Sequence, residues 1–319
     1  MKTIAFCLVG LVGLSFCFSV RHIEFRTPET STQLGEKLFF DPILSLDQRI
    51  SCASCHRPEV AFADTLALSL GVGNKTGLRN APSVMNMASR PYFFYDGRAA
   101  SLEEQALGPI ENPVEMHLAI DSAVRRLNNS SVYLNLFQLI FSERPSKTNL
   151  TKALADFQRR LESDGSAPHD RWIRDSTYAH FSESQQRGRT LFLEKGKCFD
   201  CHFGPDFTGD EFRNIGLYDE KTYFDKGRFD ETLDSADLGR FKVPGLRNVA
   251  LTAPFMHDGS LKTLEDVVAF YSNPYAFVET PINIDTLIQK PLHLSENEQV
   301  DLVNFLHSLT DKTTFKRQF

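Results

Sequence analysis

Two pentapeptides concentrate the chemistry of this chain: Cys52-Ala53-Ser54-Cys55-His56 and Cys198-Phe199-Asp200-Cys201-His202. In each, two thiols three positions apart are followed at once by an imidazole. That spacing lets each thiol add to one of the two vinyl groups of a haem, with the adjacent histidine under the iron as axial ligand. Cys52, Cys55, Cys198 and Cys201 are therefore the expected attachment points of two covalently bound c-type haems, with His56 and His202 as the iron ligands. Three other chemistries compete. The thiols could close short disulfides. They could hold zinc as Cys-x-x-Cys pairs, although such pairs usually lie closer in sequence. They could be redox-active dithiols, although no βαβ pattern surrounds either motif. All three leave both histidines unexplained.

Those motifs need elements to hold them. The first twenty residues read as a secretory leader: Lys2 is the positive region, Ile4 to Phe16 an uncharged apolar stretch, and Cys17-Phe18-Ser19 a cleavage signal. Cleavage after Ser19 would remove Cys7 and Cys17 and leave the four motif cysteines as the mature protein's full set. An uncleaved anchor would be short for a bilayer span, and bulky Phe16 disfavours lipid attachment at Cys17. Export to the periplasm is the expectation. Beyond the leader the pattern is mainly α-helical with long loops. Asn149 can cap a helix whose Leu150, Ala153, Leu154, Phe157 and Leu161 share a face. Ser182-x-x-Gln185, Ser101-x-x-Glu104 and Ser295-x-x-Glu298 read as helix starts. Thr263 caps a helix on which Leu264, Val267, Val268 and Tyr271 share an apolar face. A short helix precedes each motif, at Leu34 to Phe40 and Gln185 to Glu194. The polar stretch Glu162 to Thr177, with Gly165 and Pro168, reads as a boundary. The expected organisation is a leader (1–19), a first cytochrome c-like domain (20–163), a linker (164–177) and a second cytochrome c-like domain (178–319), whose C-terminal tail can reach back to the first. Net charge is −6 and no basic run occurs, so nucleic acid is not an expected partner.

Further motifs extend from Leu34 to Tyr271: Leu38-Phe39-Phe40-Asp41-Pro42, Arg79-Asn80-Ala81-Pro82-Ser83, Asp96-Gly97-Arg98-Ala99, Ser101-Leu102-Glu103-Glu104-Gln105-Ala106, Asn112-Pro113-Val114-Glu115-Met116, Phe241-Lys242-Val243-Pro244, Leu246-Arg247-Asn248-Val249 and Met256-His257-Asp258-Gly259. In this order they resemble those of bacterial di-haem cytochrome c peroxidases and their MauG-like relatives. The resemblance implies two tandem haem domains and reduction of hydrogen peroxide. It implies a peroxide site at the His56 haem, with Glu115 as distal acid/base and Gln105 beside it. The His202 haem would be an electron relay. A calcium ion would lie between the haems, held by Asn80 and by the carbonyls of Thr252 and Pro254. The implied partners are hydrogen peroxide and a small electron donor such as a cytochrome c or cupredoxin, and a homodimer is a further expectation. A carboxylate suits the chemistry independently, because cleaving the peroxide O–O bond needs a proton moved from one oxygen to the other.

Three departures from the family pattern matter. Many members carry a histidine in the loop before Arg79-Asn80, which blocks the peroxidatic iron until the enzyme is reduced. Here Val72 stands near that place, and no histidine lies between His56 and His117. The usual tryptophan before Asp-Gly-Arg is Tyr95, which can relay an oxidising equivalent only by losing a proton; Trp172, the single tryptophan, lies in the boundary segment. The sixth ligand of the second haem is methionine in many peroxidases and tyrosine in the MauG-like branch. Tyr271 is the candidate here, with Met256 as the alternative. An anionic oxygen ligand favours ferric and higher iron states, whereas methionine raises the potential. Three functions remain open: a periplasmic di-haem peroxidase, a MauG-like oxidant that modifies a partner protein, and a di-haem electron carrier without catalysis.

Overall fold

The computed structural model describes residues 27–312 and Phe315, together with the backbone of two N-terminal strands, β1 (Ala5–Val9) and β2 (Ser15–Ser19), which pair antiparallel. The side chains of the expected leader, its cleavage after Ser19 and the lipid alternative at Cys17 lie outside the described residues. Among the described residues no helix is long and apolar enough to cross a membrane.

The chain is helix-rich with little sheet, and two helix crossings organise it. In the first half, α1 (Ser31–Phe40) is started by a reciprocal cap between Thr30 and Gln33 and buries Leu34, Leu38 and Phe39. Four further helices come next: α2 (Leu102–Gln105), α3 (Leu107–Glu111), α4 (Ile120–Asn129) and α5 (Ser131–Phe141). The helix α6 (Lys147–Gln158) returns across α1. Its cap is Ser146, not Asn149; Asn149 sits three residues inside and completes the box by bonding back to the Ser146 N–H. The expected stripe Leu150, Ala153, Leu154, Phe157 and Leu161 is buried. The crossing is close because Gly35 has no side chain: a Cβ there would lie 1.9 Å from the Ala153 carbonyl oxygen.

The second half repeats this arrangement. Helix α7 (Pro168–Arg174) falls in the expected boundary segment and packs on the second half, with Trp172 against Phe181 and the His169 ring against Phe207 and Phe305. Helix α8 (Glu183–Leu193) precedes the second Cys-x-x-Cys-His motif and is capped by the Ser182/Gln185 box. After β3 (Phe212–Arg213), the short α9 (Phe229–Thr232), β4 (Phe241–Lys242) and α10 (Leu264–Ser272), the helix α11 (Glu296–His307) crosses α8. A Cβ at Gly188 would lie 1.9 Å from the Asp301 carbonyl oxygen. Four residues beyond the close points, Phe39 meets Phe157 at 5.1 Å and 59°, and Phe192 meets Phe305 at 5.1 Å and 57°. The two halves thus use the same crossing, locked by the same pair of rings.

Ion pairs join the halves. Arg79 makes two bonds to Asp225, at 2.7 and 2.9 Å, and Arg90 reaches both Asp206 and Asp210. The C-terminal tail returns to the first half, where Phe315 lies 5.0 Å from Phe62 and stacks on Phe40.

Candidate active site

Each motif forms a single tight turn. Cys52–Ser54 and Cys198–Asp200 are 3-10 turns, and the histidine N–H closes each by donating to the first cysteine's carbonyl, at 2.9 Å for His56 and 2.8 Å for His202. The imidazoles are then fixed from behind. Nδ1 of His56 lies 3.1 Å from both the Phe62 and Pro82 carbonyl oxygens; Nδ1 of His202 lies 2.9 Å from Phe207 O and also bonds to Pro244. A carbonyl only accepts, so Nδ1 carries the proton and Nε2 keeps its lone pair for a metal. Burial holds both imidazoles below their usual pKa, in the neutral ligating form.

The four thiols are free and face no zinc-like cluster among the described residues. Burial pushes Cys52 and Cys198 up to about 12 and Cys201 up to about 11. A redox-active dithiol needs the opposite shift. Both motifs line one cavity of about 480 Å³. Neutral Nε2 atoms, paired thiols and an internal cavity reaching both turns fit two haems that Cys52, Cys55 and His56 and Cys198, Cys201 and His202 would hold.

The cavity wall collects the remaining sequence candidates. Glu115 lines it, and its Oε1 accepts a 2.6 Å hydrogen bond from Nδ2 of Asn112. Burial raises the Glu115 pKa, partly offset by the Asn112 bond and the Arg98 charge. Gln105, at the end of α2, lines the same cavity. The loop that carries Val72 folds over Glu115: the Val72 N–H donates to Glu115 O at 2.8 Å, and a Cβ at Gly71 would meet Val114 O at 2.2 Å. This loop gives the wall Ser69, Gly71 and Gly77 but not the Val72 side chain, and exposed His117 does not reach it. Tyr95 lies buried in the wall between the halves; burial drives its phenol far above the usual range, Asp258 adds to this and Arg79 opposes it.

Near the second motif, Thr263 and Asp266 cap α10, and its face of Leu264, Val267, Val268 and Tyr271 is cavity wall throughout. The Tyr271 phenol is buried and senses both Cys201 and Cys198, so it shares their chamber. Met256 also lines the cavity, in a turn closed by the Gly259 N–H. Asn80, Thr252 and Pro254 line it too. Nδ2 of Asn80 is used by the Leu66 and Ala67 carbonyls, which leaves its amide oxygen as the atom able to meet a cation.

Comparison with known proteins settles the family. The profile described as di-haem cytochrome c peroxidase matches residues 29–178. The methylamine utilization protein MauG of Methylorubrum extorquens is 40% identical over 290 residues, covering 89% of this chain and 78% of that one. This chain belongs to the di-haem cytochrome c peroxidase family. The cytochrome c peroxidase Ccp of Escherichia coli is 36% identical over 89% of this chain and 58% of its own length. In structure, a MauG-like protein associated with microbial copper homeostasis superposes with a TM-score of 0.81 at 32% identity, covering 91% of this chain and 92% of that one. The di-haem peroxidase BthA of Burkholderia thailandensis gives 0.79 at 27% identity, covering 90% and 87%. Family membership implies two c-type haems.

The charged lattice across the family site is not evident in the sequence. Arg79 holds Asp225 and Asp96, Arg98 holds Asp96, and Arg247 holds Asp170 and Asp206. Arg79, Asp96, Arg98 and Arg247 all stand inside family motifs. Most of their partners are far away in the chain, so a motif marks the residue without naming its contact.

Proposed function

We propose that the protein reduces hydrogen peroxide to water at the His56 haem, with electrons relayed through the His202 haem. Each turnover takes two electrons and two protons and yields two waters. The carrying observation is the half-buried Glu115 carboxyl in one cavity with both motifs. Haems held by the two motifs would supply redox-active iron able to bind peroxide and deliver electrons to it. The chain's residues manage protons and geometry. Glu115, ionised, accepts the proton of incoming peroxide and returns it to the departing oxygen. Asn112 aims the carboxyl, and Gln105 offers a neutral amide beside it. Tyr95 stands on the route between the haem sites. Tyr271 would supply a ligand to an iron held by His202, ahead of Met256, and Asn80 with the Thr252 and Pro254 carbonyls would hold a calcium ion. The protein works in the periplasm after loss of residues 1–19, as two cytochrome c-like domains, fed by a small cytochrome c or cupredoxin; a homodimer belongs to the same reading.

A second reading, peroxide-driven oxidation of a partner protein, is favoured by Tyr271 and by the MauG relatives. Mixing the ferric holoprotein with peroxide, with and without reduced small cytochrome, separates the readings. Steady donor oxidation supports the peroxidase. A long-lived spectral change that the donor does not discharge supports the partner oxidant. No spectral change at either haem leaves only an electron carrier.

A further inference from the structure

We infer that Lys242 anchors a haem propionate at the junction of the two halves. This rests on the reading that both motifs carry haem.

The cations of the cavity wall divide sharply. Each arginine there already holds carboxylates: Arg79 with Asp225, Arg90 with Asp210, Arg98 with Asp96, Arg213 with Asp285 and Arg247 with Asp170. Lys197 is exposed at the rim. Lys242 is different. Its side chain is 11% exposed, and its only charged partner among the described residues is Asp210 Oδ1 at 3.9 Å, beyond hydrogen-bond reach. That oxygen is itself buried without a hydrogen-bond partner. Three ammonium donors and one carboxylate oxygen thus face each other across a gap, beside the cavity that both motifs line. No hydrogen bond from a protein group reaches this ammonium among the described residues, and its side chain borders the cavity; a largely buried charge without a close counter-ion is costly. An acceptor entering from the cavity would satisfy it.

A haem brings such acceptors. Its two propionates stand on the edge opposite the vinyl groups, and the thioether bonds fix the vinyl edge at the motif turns. The propionates would therefore lie on the edge away from the turns. The Lys242 backbone sits at the junction of the two halves. Its N–H donates to the Tyr95 carbonyl of the first half at 2.7 Å. Two residues on, the Pro244 carbonyl holds the His202 imidazole. Burial also depresses the Lys242 pKa against the pull of Asp210, as expected for an ammonium lacking its counter-ion. With a propionate in place, Lys242 is a positioning residue: it fixes the haem edge and, as a nearby positive charge, favours the ferrous form of that haem.

The test uses holoprotein whose intact mass first confirms two haems per chain; absence of haem defeats the underlying reading, not this inference. Spectroelectrochemical titration follows both haems separately in wild type, Lys242→Met and Lys242→Arg. Lys242→Met should lower the ferrous-to-ferric ratio of one haem about tenfold at fixed potential, a downward shift of about 59 mV for a one-electron couple. Lys242→Arg should restore it. The haem that moves is the one whose propionate is held. Unmoved potentials in Lys242→Met, or an equal shift in Lys242→Arg, overturn the inference. Should Lys242→Met fail to mature, a crystal structure of the wild-type holoprotein decides. Nζ bonded to a propionate oxygen supports the anchor, and Nζ bonded to Asp210 alone refutes it.

Discussion

Replacing Asn112 by Ala removes the side-chain hydrogen bond that favours the ionised form of Glu115. The bond is short, 2.6 Å from Nδ2 to Oε1. A hydrogen bond to a charged group contributes about 1.5–3 kcal/mol, and the half-buried setting argues for the lower end. At 1.36 kcal/mol per pKa unit, the Glu115 pKa should rise by about one unit. Burial has already raised it, and the base must be ionised to take the proton of peroxide. The acid limb of kcat/KM for peroxide, which reports the free enzyme, should therefore move up by about one pH unit. The rate above that limb should change far less. Glu115→Gln should lose about a hundredfold or more at every pH, about 3 kcal/mol of barrier, with haem content intact. The decisive measurement is the pair of profiles for Asn112→Ala and Glu115→Gln/Asn112→Ala. An acid limb that stays in place in the first, or moves equally in the second, would show that Glu115 is not the base.

The same shift carries a stability consequence of opposite sense. A carboxyl whose folded pKa is raised costs the fold nothing while protonated. Its cost appears as pH rises past the unfolded pKa and is complete above the folded one. Glu115→Gln removes that cost, so the variant should unfold at an equal or higher temperature than wild type at pH 8 although it is the poorer catalyst. A lower Tm at pH 8 would contradict this account of the burial.

The ferric holoprotein should bind cyanide at the first haem without prior reduction, because the Val72 loop puts no ligand into the wall; failure of half the haem to respond until the other half is reduced would refute this. Tyr271→Phe should open the second iron to cyanide and alter its ferric spectrum, while Met256→Leu should not, and the reverse pattern would transfer the ligand role to Met256. Gly188→Ala should destabilise by about 1–3 kcal/mol through forced separation of α8 and α11, read as a lower Tm, since its Cβ would meet backbone 1.9 Å away. An unchanged Tm would mean that the crossing relaxes freely.

Local chemistry is legible in the sequence and remote chemistry is not. The Tyr271 face can be read because a Thr263 cap and a 3.6-residue period define a helix and its side without any distant information. The stripe on α6 is legible for the same reason. Its cap is ambiguous because Ser146 and Asn149 bond reciprocally, and either alone is a good capping residue. The stretch from Glu162 to Thr177 reads as a boundary by composition, yet His169 and Trp172 insert among the rings of the second half. Two inward side chains among polar neighbours leave no periodic signal. Lys242 stands in a family motif, but its unsatisfied ammonium emerges only when the walls of both halves are assembled around it.

The division of labour between the two haem sites follows from what differs once the shared scaffold is subtracted. Both halves cross a glycine-bearing helix under a second helix, lock it with two phenylalanines and hold the histidine from behind with backbone carbonyls. None of these features distinguishes catalysis from relay, because they only attach a haem and orient its proximal ligand. The distinction lies across the cavity. Near the first motif the wall carries Glu115, Gln105 and a loop that contributes Ser69 and glycines but neither histidine nor methionine. A carboxyl there can move a proton, and on the proposed function an iron held by His56 would keep a position open to peroxide. Near the second motif the wall includes the apolar face of α10 with a buried phenol, and its carboxylate Asp285 is tied up by Arg213. No carboxylate stands on that face among the described residues, and on the proposed function the phenol would take the iron position that a substrate would need. On the proposed function, the first site would serve bond cleavage coupled to proton transfer, and the second would hold an oxidising equivalent. Exchanging those two walls, not the motifs, would be the change that exchanges the roles.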